Sequence, residues 1–178
     1  MHYLIKLVKY CQCELRVFDF KKYKAPHIGR LRTYAWKPLV IQEVLNTESL
    51  VIYVDSSIEF LSNKLKPSLT TAIDNGIASQ TLNYFNLTCY TNPKMFEWFG
   101  ESISDYTNMP TLEANIIMLR SSFVTSLVMK AWITCALDET CISPKGLCLD
   151  LSQLVSVRLI NAVNLTNRLP FRAMLRLP

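Results

Sequence analysis

The chain has 178 residues, of which 50% are apolar and 19% are charged. This length and composition predict a single globular domain and exclude disordered, collagen-like and low-complexity classes. The formal net charge of +5 is modest, and the sequence lacks the dense basic stripe that nucleic-acid binding requires. The basic residues between Lys21 and Lys37 form either a solvated face or a rim that attracts a phosphate-bearing ligand. We therefore expect no nucleic-acid partner.

The first part of the chain predicts a strand, a helix and a second strand. Apolar residues within 14–20 predict the first strand, and the charged stretch 21–32 predicts a loop. Apolar side chains then recur at helical spacing over 33–45. Residues 49–55 contain a continuous β-branched and aromatic run closed by Asp55, which predicts a buried strand of the parallel type. Strand, helix and strand in this order predict a βαβ unit.

The second part of the chain continues the alternation of short elements. It predicts, in order, a helix over 67–76 capped by Ser68 and stopped by Gly76, one or two strands within 77–90, short helices at 93–99 and 101–106, a buried strand over 113–120, and an amphipathic helix opened by Ser122. Helical spacing returns over 149–160, and the final residues are basic and punctuated by proline. No internal repeat and no linker divides the chain.

The cysteines and two glycosylation sequons indicate an oxidising compartment. The six cysteines are Cys11, Cys13, Cys89, Cys135, Cys141 and Cys148. The sequons are Asn86-Leu87-Thr88 and Asn164-Leu165-Thr166. Cys135 and Cys141 flank a short segment at a helix end and are the preferred disulfide pair. The alternative, that all six thiols are reduced and buried, stays open. The longest apolar helical stretch, 123–137, is too short to cross a bilayer.

Three residues stand where ligands could bind. Asp55 follows a strand, and an acid at a strand end could hold a divalent cation or a ribose hydroxyl, or simply cap the next turn. Lys37 lies in the first turn of a helix, where it could reach a phosphate or extend into solvent. Glu113 leads an apolar strand and is either a site residue or a strand-start cap. No zinc motif is present, and His2 and His27 are too few to favour a Ser-His-Asp or Cys-His enzyme.

Several short motifs cover about residues 14–144. They are T-Y-A-W-K-P-L-V-I-Q-E at 33–43, V-I-Y-V-D-S-S-I-E-F at 51–60, E-A-N at 113–115, W-I-T-C-A-L at 132–137 and C-I-S-P at 141–144. Together they resemble an uncharacterised eukaryotic family similar to nucleotide-diphospho-sugar transferases of the A-type glycosyltransferase fold. The family pattern has glycine where this chain has Asn115. Residues 145–178 do not follow the pattern, and no histidine follows His27.

The resemblance implies a Rossmann-like α/β fold, with a mixed, mainly parallel sheet flanked by helices. It divides the chain into an N-terminal extension over 1–13, the transferase-like domain over 14–144, and a divergent, partly helical tail over 145–178. It also implies a Golgi or secretory-pathway lumen, with membrane attachment only through an anchor that this chain does not include. We therefore expect a fragment or altered product of a longer transferase.

The resemblance also implies a site. Lys37 would face the phosphates of a UDP-sugar donor. Asp55 would be the first acid of a D-x-D motif that binds Mn²⁺ or Mg²⁺, with Ser57 at its third position. Glu113 would line the sugar or acceptor side, so that Asp55 and Glu113 are the expected catalytic residues and all the site residues converge on one cleft. The acceptor would be a hydroxyl of a glycan or protein. The alternative is a non-catalytic relative that binds nucleotide weakly or serves as an interaction module.

Overall fold

The structure is a computed structural model that describes residues 14–144, without the side chains of 83–85 and 90. The predicted N-terminal extension (1–13) and the predicted partly helical tail (145–178) lie outside the described residues. The helices are α1 (Trp36–Leu45), α2 (Lys66–Asn75), α3 (Leu87–Tyr90), α4 (Pro93–Trp98), α5 (Phe123–Leu137) and α6 (Glu139–Ile142). The strands are β1 (Leu50–Val54), β2 (Ile77–Asn86) and β3 (Pro110–Arg120).

The prediction of a Rossmann-like fold with a mainly parallel sheet is wrong. The described strands form one three-stranded sheet in the order β1-β3-β2, and both pairings are antiparallel. Because β1 and β2 each run antiparallel to β3, they run in the same direction as each other and are joined through α2. The βαβ unit predicted over 14–55 does not form, because the described residues contain no strand before β1. Strand β3 comes later in the chain and inserts between β1 and β2.

Strand β1 also differs from the predicted interior strand, because it lies at an edge of the sheet. Its one buried residue is Val51, whereas Leu50, Ile52 and Val54 each keep 37–40% of their surface exposed. A continuous apolar run is typical of a strand covered on both faces. Here Tyr53 packs into the core formed with α1 and α5. On the opposite face, α2 covers Ala78 of β2 and Met118 of β3, but Leu50, Ile52 and Val54 of β1 stay in contact with solvent.

The first predicted strand, over 14–20, does not form. Asp19 instead caps a 3₁₀ turn at Phe20–Lys22 by accepting a hydrogen bond from the Lys21 backbone N–H. Val17, which the pattern assigned to a strand face, is 85% exposed. Phe18 packs against Tyr23 within the same segment. Phe18 thus makes local aromatic contacts while Leu15 and Val17 stay exposed. Within residues 14–144, no strand pairs with this stretch.

Most helix boundaries follow the predicted signals. Helix α1 ends at Leu45, before the predicted break. Gly76 ends α2 with a φ of +86°, a conformation that glycine adopts freely. Ser122 opens α5 and its hydroxyl accepts from the Thr125 backbone N–H. The predicted cap Ser68 is wrong, because α2 begins two residues earlier, at Lys66, and Leu65 occupies the N-cap position.

Two apolar cores hold the sheet and the disulfide. On one face of the sheet, Ile41 from α1 and Trp132 from α5 pack against Ile117 and Leu119 of β3. A second cluster surrounds the ends of α5 and α6, where the predicted disulfide Cys135–Cys141 is confirmed. Within residues 14–144, no helix combines the length and apolar character needed to cross a bilayer.

Candidate functional site

The predicted residues Lys37 and Asp55 lie in direct contact. The Lys37 Nζ is 3.0 Å from Asp55 Oδ1 and 3.3 Å from Oδ2, so the two side chains form an ion pair. Lys37 is the second residue of α1, and Asp55 directly follows β1. The lysine side chain is only 2% exposed, whereas the aspartate side chain is 23% exposed. The pair therefore joins the start of a helix to the end of a strand, with the ammonium inside and the carboxylate at the surface.

The buried ammonium is held by more than its counter-ion. Lys37 Nζ donates a hydrogen bond of 2.8 Å to the backbone carbonyl of Ala114 in β3. The rings of Tyr34 and Tyr53 lie 5.3 and 5.0 Å from Nζ, within the range of cation–π attraction. Burial lowers the pKa of Lys37 from its ordinary value of 10.5, and the hydrogen bond and charge of Asp55 oppose this change.

A bulge in β3 supplies the carbonyl that Lys37 uses. Ile117 pairs with Ser79 and Leu112 with Thr81 of β2, so four residues of β3 stand opposite a single residue of β2. The Ser79 hydroxyl lies within hydrogen-bond distance of the carbonyls of residues 113 and 116. The Asn115 carbonyl accepts from the Asp55 N–H at 2.8 Å. The Ala114 carbonyl is thus free of the ladder, and Lys37 satisfies it.

Two tyrosines that sequence reasoning missed complete this network. The Tyr53 hydroxyl donates to Asp55 Oδ1 at 2.5 Å. Burial is the main reason that the pKa of Tyr53 is raised, and the hydrogen bond and charge of Asp55 raise it further. A signal for Tyr53 was present, because strand residues two apart share a face and Tyr53 precedes Asp55 by two. Tyr34 adopts a φ of +55°, which is uncommon outside glycine. No sequence motif indicated that Tyr34 belongs to the site.

Glu113 and Ser57 do not join the ion pair. Glu113 is half-buried and lies one residue before Ala114, but among the described residues no hydrogen bond or ion pair links its carboxylate to Lys37 or Asp55. Ser57 is exposed in the turn after β1, where the Ile58 N–H donates to the Asp55 carbonyl. Of the four predicted site residues, the structure brings Lys37 and Asp55 into contact. It leaves Glu113 and Ser57 outside the ion pair.

The surroundings of Asp55 do not fit a divalent cation. Both carboxylate oxygens already face donors, one of which is the Lys37 ammonium at 3.0 Å. A cation placed there would be repelled by that ammonium, and divalent cations need several oxygen ligands together. Within residues 14–144, no group of three or more His, Cys, Asp or Glu side chains is arranged to hold a metal.

A separate groove lies between α1 and α5 and has a volume of about 400 Å³. Its lining is mixed, with hydroxyl, amide and apolar side chains that include Gln42, Ser126 and Met129. It contains none of the predicted site residues. The groove is therefore a surface feature distinct from the Lys37–Asp55 pair.

Comparison of the chain with protein-family models, with curated proteins and with solved structures found no match.

Proposed function

We propose that this chain is a non-catalytic interaction module, and that it binds a second copy of itself through strand β1. The observation that carries the proposal is the open edge of β1. Leu50, Ile52 and Val54 combine exposed apolar side chains with a sheet edge that no other described strand covers. Edge strands are normally protected by charges, proline or bulges, and β1 contains none of these over its five residues.

The backbone of β1 directs the same residues toward the open edge. The Ser49 carbonyl accepts from the N–H of Ser121, which directly follows β3, and the Asp55 N–H donates to Asn115 of β3. In an antiparallel ladder the hydrogen-bonding direction alternates along the strand. The backbone groups of Leu50, Ile52 and Val54 therefore point away from β3. Their N–H and C=O groups are available to a further strand.

A second copy of β1 fits this edge because the strand is self-complementary. If two copies pair antiparallel about a twofold axis at Ile52, Ile52 faces its own copy and Leu50 faces Val54 of the partner. All three pairs are apolar and uncharged, so no like charges oppose each other. Two three-stranded sheets would become one sheet of six strands.

The expected dimer is weak. Each of the three side chains has about 40% of its surface left to bury, which contributes about 1 kcal/mol per side chain. Association must offset at least about 4 kcal/mol of lost translational and rotational freedom. The dimer should therefore form only at high protein concentration and dissociate on dilution.

Analytical ultracentrifugation of the full chain over a wide concentration range tests this proposal. We expect a reversible monomer–dimer equilibrium that Ile52→Lys abolishes, since it places two ammonium groups on the twofold axis. Leu31→Lys is the matched control, because Leu31 is also exposed but lies in a 3₁₀ turn outside the sheet, and it should leave the equilibrium unchanged. A chain that stays monomeric at every concentration, or an Ile52→Lys variant that dimerises like the parent, refutes the proposal.

A donor site for a UDP-sugar, with transfer to a glycan or protein hydroxyl, is the second candidate. It is favoured by one observation, that Asp55 follows a strand and keeps part of its carboxylate exposed. The burial of Lys37 speaks against it, since this ammonium would have to leave Asp55 and Ala114 to reach a phosphate. A UDP-sugar site therefore requires a rearrangement of the Lys37 side chain, whereas dimerisation through β1 does not.

Thermal-shift titration with UDP and a UDP-sugar, with and without Mn²⁺, separates the two candidates. The interaction module predicts no saturable shift at millimolar ligand. A donor site predicts a saturable shift that Asp55→Asn removes and Asp74→Asn, on the exposed face of α2, retains. Each shift is measured against the melting temperature of the same variant without ligand, so a general loss of stability does not imitate a loss of binding.

A further inference from the structure

The sequon Asn86-Leu87-Thr88 lies at a junction between two elements. Asn86 is the last residue of β2, with an extended backbone (φ −76°, ψ 139°), and Leu87 begins α3. The side chain of Asn86 is exposed, whereas Leu87 is 1% exposed and packs with Phe96 and Tyr106. The fold therefore anchors the middle residue of the sequon and leaves the asparagine at the surface.

The Asn86 side chain leaves the start of α3 uncapped. Asn86 occupies the N-cap position of α3, where an asparagine side chain commonly accepts from the helix backbone. Here its side chain makes no capping hydrogen bond. Attaching a group to the amide nitrogen would thus break no capping interaction, and an exposed position gives that group room in solvent.

The disulfide Cys135–Cys141 supplies an independent observation about compartment. Both cysteines are buried in the second core cluster, so the bond belongs to the folded interior. Structural disulfides form and persist in oxidising compartments such as the endoplasmic-reticulum lumen. This is also the compartment in which asparagine-linked glycans are attached to N-x-Ser/Thr sites.

We propose that Asn86 is a site of N-linked glycosylation. The co-reactant is an oligosaccharide carried on a polyprenyl diphosphate, and the host's oligosaccharide-transferring enzyme catalyses the step. The Nδ2 atom of Asn86 forms a bond to the anomeric carbon of the first sugar, and the bond from that carbon to the diphosphate oxygen breaks. The lipid diphosphate leaves with the electron pair, and the amide loses one proton to the enzyme's base.

The chain carries its own comparison site. The second sequon, at Asn164, lies outside the described residues, so a glycan there must be separated from one at Asn86. The variant Asn164→Gln removes that second acceptor. In this background, any remaining N-linked glycan is assigned to the first sequon.

The experiment expresses the full chain behind a cleavable secretory signal in cultured eukaryotic cells. In the Asn164→Gln background, we expect one gel-mobility shift that peptide-N-glycosidase removes. Asn86→Gln and Thr88→Ala should abolish it, whereas Thr88→Ser, which preserves the sequon, should retain it. Enzymatic release in heavy-oxygen water should label residue 86 in peptide mass spectra.

Entry into the lumen is checked in the same samples by removal of the signal and formation of the Cys135–Cys141 disulfide. A chain that enters the lumen but shows no glycosidase-sensitive shift overturns the proposal. So does a shift that persists in both Asn86→Gln and Thr88→Ala. Because attachment is read directly on the chain, variants that fold poorly still give a result.

Discussion

The ion pair between Lys37 and Asp55 makes an asymmetric prediction about stability. Asp55→Asn removes the counter-ion of an ammonium that is almost fully buried, whereas Lys37→Met removes the ammonium and leaves a carboxylate that is 23% exposed to water. We expect the first substitution to be the more destabilising. Both variants keep a side chain of similar volume, so the difference measures charge and hydrogen bonding.

The magnitudes follow from what each substitution leaves behind. A buried charge without its partner destabilises a fold by about 3–5 kcal/mol. In Asp55→Asn the ammonium can still donate to the asparagine amide oxygen and to the Ala114 carbonyl, so we expect the lower end of this range, about 3 kcal/mol. In Lys37→Met the carboxylate keeps its hydrogen bond from Tyr53 and is hydrated. The lost hydrogen bonds are partly offset by burial of an apolar side chain, so we expect about 1 kcal/mol.

The pH dependence gives a second signature of the same pair. Burial lowers the pKa of Lys37 below 10.5, and Asp55 opposes this, so Asp55→Asn should lower it further. Between the folded-state pKa and 10.5, the unfolded chain binds more protons than the folded chain, and stability therefore rises with pH. This rise is larger in Asp55→Asn. The difference in unfolding free energy between the parent and this variant should therefore be smaller at about pH 9.5 than at pH 7.

Urea unfolding at these two pH values, with the disulfide intact, provides the measurement. The upper value lies below the ordinary tyrosine pKa of 10.0, from which the pKa of Tyr53 is raised in the folded chain. The reasoning is refuted if Lys37→Met is the more destabilised variant. It is also refuted if the deficit of Asp55→Asn is the same at both pH values.

Two further predictions concern covalent and backbone constraints. Replacing both Cys135 and Cys141 by alanine should lower the free energy of unfolding by about 2 kcal/mol, the chain-entropy value for a loop of six residues, as measured by denaturant unfolding with and without reductant. Gly76→Ala should lower the melting temperature, because φ is +86° and a Cβ would lie 2.5 Å from the Ser122 hydroxyl oxygen. Gly29→Ala, where a Cβ meets nothing within 4 Å, is the control and should leave the melting temperature nearly unchanged.

Local signals in the sequence predicted the elements better than their arrangement. The apolar run before Asp55, the glycine at the end of α2 and the serine that opens α5 all act through neighbouring residues, and each appears in the structure. The strand expected at 14–20 fails because a strand needs a partner, which its own residues do not specify. Pattern alone could not reveal that missing partner.

The candidate site divides in the same way. Residue type and position selected Lys37 and Asp55 as polar groups at the ends of a helix and a strand, and the structure places them in contact. Their contact changes the interpretation, because a lysine expected to face phosphates instead satisfies an aspartate and the Ala114 carbonyl. That carbonyl is available only because β3 bulges opposite β2, a feature of strand register.

The sequence by itself indicated most of the helices and strands, placed Lys37 at the start of a helix and Asp55 at the end of a strand, and favoured Cys135 and Cys141 as a disulfide pair. Those features depend on residues a few positions apart. Only the tertiary structure decided that β3 inserts between β1 and β2, that the sheet is antiparallel, and that Leu50, Ile52 and Val54 form an open edge. The physical reason is that strand order and burial are set by contacts between residues distant in the chain, which no local pattern encodes.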